Sequence, residues 1–111
     1  METLAKGDVV LFPFPYTDLS NRKLRPCLVL SREMNEDVML CQITSQSLRK
    51  DEYTVELKQA DMTQGTLMTD SYIMANMVFT ASIMQVHRKI CRIKDDKYRQ
   101  VTDTITKIIS K

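Results

Sequence analysis

Apolar positions along the chain come in short blocks, and most blocks carry the two-residue period of β-strands rather than the longer period of helices. The first is Asp8-Val9-Val10-Leu11-Phe12-Pro13-Phe14, opened by Gly7. Pro13 and Pro15 have no N–H to give a ladder, so this strand should run out at a sheet edge or into a loop. Tyr16 to Leu24 is polar and reads as a loop. Arg25-Pro26 then opens the unbroken run Cys27-Leu28-Val29-Leu30, which suits a strand buried on both faces. Asn35-Glu36-Asp37 signals a turn, and Val38 to Thr44 reads as a third strand. In Tyr53-Thr54-Val55-Glu56-Leu57 the apolar residues alternate, the mark of a half-exposed strand. Gln59 to Leu67 reads as a polar loop, Ser71–Ala75 and Val78-Phe79 as two short strand pieces, and Arg88 to Ile93 as a last strand with one basic face.

The tail changes period. Tyr98, Val101, Ile105, Ile108 and Ile109 form one stripe of an α-helix. Asp95 or Asp96 is placed to cap its start, while Lys107 and Lys111 suit its C-terminal dipole. Five to seven short strands and one terminal helix predict a mostly β (α+β) fold: a small, strongly bent β-barrel, which removes exposed strand edges, followed by a C-terminal helix.

Composition narrows the function classes. The 111 residues are 43% hydrophobic and 27% charged, which suits one globular domain spanning 1–111. No apolar run approaches a membrane span, and Met1-Glu2-Thr3-Leu4-Ala5-Lys6 lacks the apolar stretch of a signal peptide. A cytoplasmic protein with no membrane partner is the expectation. Gly7 and Gly65 are the only glycines, so no glycine-rich phosphate loop can be written. Cys27, Cys41 and Cys91 are widely spaced and lie in apolar runs; they read as buried, reduced thiols rather than zinc ligands. The net charge of +2 selects no partner, but the charge is polarised. Glu33 to Asp70 holds eight acids and three bases, whereas Arg88 to Lys111 holds eight bases and three acids.

Candidate chemistry is sparse. His87 is the single histidine and lies among cations just before a strand, which favours a surface role. Glu33, Glu36 and Asp37, like Asp51 and Glu52, sit at turns and read as solvated; no spacing resembles a metal centre, and no metal or cofactor is expected. Arg25 is the more informative residue. It follows the basic knot at Arg22 and Lys23 and stands at the mouth of an apolar strand, from which a forked guanidinium can meet a phosphate. Thr44-Ser45-Gln46 ends another apolar strand, where hydroxyls and an amide can line a cleft or simply close a turn. Phe12, Phe14 and Tyr16 share one side of an extended strand; they suit stacking on unpaired bases, or a barrel core.

Four blocks together resemble the PemK/MazF toxin family: Gly7-Asp8-Val9-Val10 with Phe12-Pro13-Phe14, Arg25-Pro26-Cys27-Leu28-Val29-Leu30-Ser31, Cys41-Gln42-Ile43-Thr44-Ser45, and Asp70-Ser71-Tyr72-Ile73. The resemblance spans roughly residues 6 to 110. It implies an SH3-like barrel of the architecture shared by PemK, MazF and the gyrase poison CcdB, acting as a homodimer. It implies a toxin that cuts single-stranded RNA without a metal, leaving a 2′,3′-cyclic phosphate and a 5′-hydroxyl. It also implies a cognate antitoxin that covers the groove with a flexible tail, and operator DNA bound together with that antitoxin. The family's working Arg falls on Arg25 and its working Thr on Thr44. Pro15 to Leu24 becomes the substrate-covering loop, and Phe14, Tyr16, Arg22, Lys23, Ser45 and Gln46 become substrate-binding candidates. Many members carry an Arg soon after the Asp-Ser-x-Ile block, where the corresponding stretch of this chain is Ile73-Met74-Ala75-Asn76-Met77. A non-catalytic alternative stays beside this one: a nucleic-acid-binding module, or a gyrase-targeting one that grips its target with the helix end. Against the latter, the helix ends Ile108-Ile109-Ser110-Lys111 with no aromatic anchor.

Overall fold

A computed structural model describes residues 3–15, 22–46 and 50–111. Seven strands form one curled antiparallel sheet: β1 (Asp8–Pro15), β2 (Arg22–Val29), β3 (Asp37–Thr44), β4 (Thr54–Leu57), β5 (Met62–Gly65), β6 (Ser71–Ser82) and β7 (Arg88–Ile93). Their order across the sheet is β4-β6-β3-β2-β1-β7-β5, a half-barrel closed below by helix α1 (Asp95–Ser110). The mostly β architecture with a C-terminal helix is the one expected.

Alternation along the central strands buries both faces of the sheet. Val9, Leu28, Leu30, Cys41, Ile43, Ile73 and Ile93 enter a cluster with Val101 of α1. Val10, Phe12, Cys27, Val29, Val38 and Leu40 enter a second cluster with Leu4, Ala81 and Val86. Phe12, Phe14 and Phe79 meet edge to face on that second side, with centroids 5.3–5.7 Å apart. This is why Cys27-Leu28-Val29-Leu30 is apolar at every position. The prolines also behave as their chemistry requires: β1 pairs with β7 only over Asp8 to Leu11, so Pro13 and Pro15 lie beyond that ladder.

Several elements depart from the expected ones. β2 begins at Arg22, inside the expected loop, because Arg22 to Leu24 pair with Pro15 to Pro13 whatever their polarity. The expected polar loop Gln59–Leu67 contains a 3₁₀ turn (Gln59–Asp61) and strand β5, an exposed edge strand with no apolar alternation to reveal it. The two short pieces at Ser71–Ala75 and Val78-Phe79 are one strand, β6, whose pairing with β3 slips between Cys41 and Ile43. Lys94, not Asp95 or Asp96, is the helix N-cap, and the two acids occupy the first turn, where their charge still suits the dipole. Ile109 lies off the buried stripe and is exposed, as is Tyr53 just before β4. Glu33 is not merely solvated: its Oε2 accepts from the Leu4 N–H at 2.7 Å. His87 is exposed in the turn before β7, as expected.

One buried charge escaped the pattern. Asp8 is fully buried at the start of β1. Its Oδ1 takes Arg92 Nη1 at 2.7 Å and Lys89 Nζ at 3.3 Å, and its Oδ2 accepts from the Ala5 N–H at 2.9 Å. It thereby ties β1 to β7 and to the N-terminal segment.

Two glycines test the packing differently. Both have positive φ, +94° at Gly7 and +77° at Gly65. A Cβ on Gly65 would lie 2.3 Å from the Ile90 carbonyl oxygen and 2.7 Å from Cys91 Cα, whereas one on Gly7 meets nothing closer than 3.7 Å. Gly65→Ala should therefore destabilise by about 2 kcal/mol or more, and Gly7→Ala by about 1 kcal/mol, in urea denaturation.

All three cysteines are free and buried. Burial pushes the Cys27 and Cys41 thiols up from 9.0 to about 12, Cys27 also through its neighbour Cys41; Cys91 rises to about 11 through burial and then Asp8. Below about pH 9 folded and unfolded thiols are both protonated, and stability is unaffected. Above it the unfolded thiols ionise first, so stability should fall as pH rises from about 9 toward 12. Denaturant midpoints across that range should show the loss, and Cys27→Val with Cys41→Val should flatten it.

Candidate functional site

The site begins where a ladder stops. β2 and β3 pair at Val29–Leu40, Leu28–Cys41 and Cys27–Gln42, and among the described residues no pair follows. The next residue of β2 is Pro26, which has no N–H to donate. From there β2 stays with β1, whose Leu11 and Phe12 pair with Pro26 and Arg25, while β3 stays with β6, whose Ile73 and Tyr72 pair with Ile43 and Thr44. The two strands fork. Extending their register by two residues sets Arg25 across from Thr44.

Two hollows open at the fork, and Arg25 and Thr44 line both. The larger, about 590 Å³, also takes Lys23, Ser45, Gln46 and Arg88 in its lining, with Leu11, Leu24, Ile43 and Ile90 as an apolar floor. Three cations and no carboxylate line it among the described residues, so it favours an anion. Arg25 is exposed and Thr44 half-buried, so neither is sealed in the core. Thr44 Oγ1 accepts from the Gln46 backbone N–H at 3.2 Å. That contact uses an oxygen lone pair and leaves the hydroxyl proton free to donate.

Another wall is the segment Gly65 to Thr69, which includes the exposed Met68. Gln59 braces it: Nε2 donates to the Gly65 carbonyl at 3.1 Å, and Oε1 accepts from the Leu67 N–H at 3.0 Å.

The structure thus brings Arg25, Thr44, Lys23, Ser45 and Gln46 to one cleft. Phe14 lines the smaller hollow, about 230 Å³, on the other side of the fork. Tyr16 lies outside the described residues, and of Arg22 only the strand position is described. Sequence reasoning missed Arg88, Gln42 and the 65–69 wall. Arg88 reaches the site through Leu11, which pairs with both it and Pro26. Gln42 carried a legible signal, a lone amide in the otherwise apolar run Val38 to Ile43. Among the described residues no three His, Cys, Asp or Glu side chains come together as a metal-ligand set, and no helix is long and apolar enough to cross a membrane.

Comparison with known proteins follows this geometry. A family model described as the PemK-like, MazF-like toxin of type II toxin–antitoxin systems matches residues 5–109. No curated protein sequence matches significantly. Among solved structures, a MazE–MazF complex from Deinococcus radiodurans superposes with a TM-score of 0.79 at 16% identity, covering 98% of both chains. An endoribonuclease bound to its cognate antitoxin, from Mycobacterial species, gives 0.76 at 14% identity, covering 96% of this chain and 95% of that one. The Mycobacterium tuberculosis toxin MazF-mt6 gives 0.67 at 19%, covering 91% and 96%. At such identities the structural likeness is one of fold.

Loss of the Gln59 brace should be measurable by itself. Gln59→Leu should destabilise by about 1 kcal/mol and speed amide exchange at Leu67, while exchange in the core of β3 stays slow.

Proposed function

The chain belongs to the PemK-like, MazF-like toxin family of type II toxin–antitoxin systems, and on that premise we propose that it is a sequence-selective, metal-independent endoribonuclease acting on single-stranded RNA. The reading includes a homodimer, a cognate antitoxin that silences it, and operator DNA bound in that antitoxin's company. The observation that carries it is the pair Arg25 and Thr44 at the shared lip of a cleft that, among the described residues, is lined by three cations and no acid.

The chemistry needs the RNA, these side chains and solvent water as the proton carrier. The ribose 2′-hydroxyl attacks the adjacent phosphorus and passes its proton to solvent water, an O2′–P bond forms, the P–O5′ bond breaks, and the leaving 5′-oxygen takes up a proton. The products are a 2′,3′-cyclic phosphate and a 5′-hydroxyl. Charge builds on the non-bridging oxygens as the phosphorus becomes five-coordinate. A guanidinium stays protonated, so Arg25 acts there as a fixed, forked cation rather than as a base, and an N–H of the fork hydrogen-bonds the leaving 5′-oxygen while water supplies the proton that this oxygen takes up. Thr44, its oxygen already engaged by Gln46 N–H, turns its proton toward a phosphoryl oxygen. Preorganised donors of this kind contribute a few kcal/mol each. Lys23 and Arg88 draw the strand in, and the same positive cleft suits an acidic antitoxin tail, whose binding should weaken with salt.

The purified protein should cut unstructured RNA in EDTA and leave 5′-hydroxyl ends. Arg25→Ala and Thr44→Val should each slow cutting by about a hundredfold or more with unchanged thermal melts, and Arg25→Lys should rescue poorly, since a point charge lacks the fork. Full cutting by either variant, or no cutting across a broad set of single-stranded RNAs, overturns the reading.

A further inference from the structure

The smaller hollow has a chemistry that the cleavage step does not use. It lies at the same lip as Arg25 and Thr44 but is walled by Phe14, Gln42 and Gln46. Alternation puts Gln42 on the face of β3 that elsewhere carries Val38 and Leu40, both buried in the second cluster. At that position the strand carries an amide instead. Gln42 is half-buried, and its side chain makes no hydrogen bond with any described residue. Its donor and acceptor are therefore available in a space about the size for one nucleobase. Phe14 beside it is held by edge-to-face contacts with Phe12 and Phe79, so its ring is presented without further ordering.

We infer that this hollow is a base-reading subsite for a nucleotide flanking the scissile phosphate, with Gln42 as a specificity-determining residue and adenine as its base; this deepens the ribonuclease reading and rests on it. An unpaired RNA base is read by splaying it out, stacking it on an aromatic ring and bonding its edge. Phe14 supplies the ring. The Gln42 carbonyl accepts from the adenine N6 amino group while its NH₂ donates to N7. Guanine presents two acceptors at that edge and leaves the carbonyl facing one of them. A pyrimidine offers a smaller face to the ring. Because Arg25 and Thr44 line both hollows, a phosphate held between them places one neighbouring base on this side and sends the strand onward into the larger cleft.

The test compares rates on oligoribonucleotides that differ at one base beside the cut, with cut sites also mapped on total RNA. The wild-type protein should prefer adenine at one flanking position. Gln42→Ala should reduce that preference by about ten- to a hundredfold. Gln42→Glu, which keeps the shape but cannot donate to N7, should do the same, and preferences on the other side of the cut should persist in both. Matching thermal melts keep a folding defect from imitating the result. Unchanged preference at every position in both variants overturns the subsite and leaves the nuclease standing, provided Arg25→Ala is inactive. A wild-type protein that cuts no RNA overturns both.

Discussion

The early end of one hydrogen-bonded ladder shapes everything that follows from it. β2 and β3 pair for three residues and then separate at Pro26, each strand remaining bound to its outer neighbour. A sheet that stayed paired there would carry Arg25 and Thr44 as ordinary cross-strand neighbours over a filled surface. The separation turns them into the two sides of an opening that reaches both faces of the sheet.

Such an opening survives only in a stiff frame. The two apolar clusters, one on each face, hold β2 and β3 by residues immediately behind the fork: Leu28 and Cys41 on the helix side, Cys27 and Leu40 on the other. The buried Asp8 joins the first strand to the seventh through two cations, and a buried, paired charge of this kind fixes geometry more than it adds stability. Tyr98 of the helix donates to the Leu30 carbonyl, one residue past the strand that carries Arg25. Rigid side chains near the fork are what an electrostatic site requires, since donors that must reorganise lose most of their effect.

The likeness to MazF structures at 14–19% identity is intelligible in these terms. A fold of this kind is held by its strand register and its buried apolar positions, which leaves most surface residues free to differ. Gln42 is half-buried and belongs to neither apolar cluster. It sits where the fold demands a strand residue but leaves the side chain facing a hollow.

Local physics made some of this legible in the chain itself. Apolar residues at every position of Cys27 to Leu30 announced a strand buried on both faces, two prolines announced the end of β1's second ladder, and a 3.6-residue stripe announced the helix. Arg25 and Thr44 stood out because each abuts such a run. Strand β5 did not, because an exposed edge strand buries too little to leave a period-two pattern, and the burial of Asp8 did not, because an acid at the start of a strand reads as solvated until Lys89 and Arg92 arrive from eighty residues away. The amino-acid order thus determined most of the elements and the candidate side chains, whose signals are local. Only the tertiary structure decided that positions 25 and 44 share one opening, that Arg88 joins them and that Gln42 faces a second hollow, because pairing register and the point where a ladder fails are set by distant strands competing for the same backbone groups.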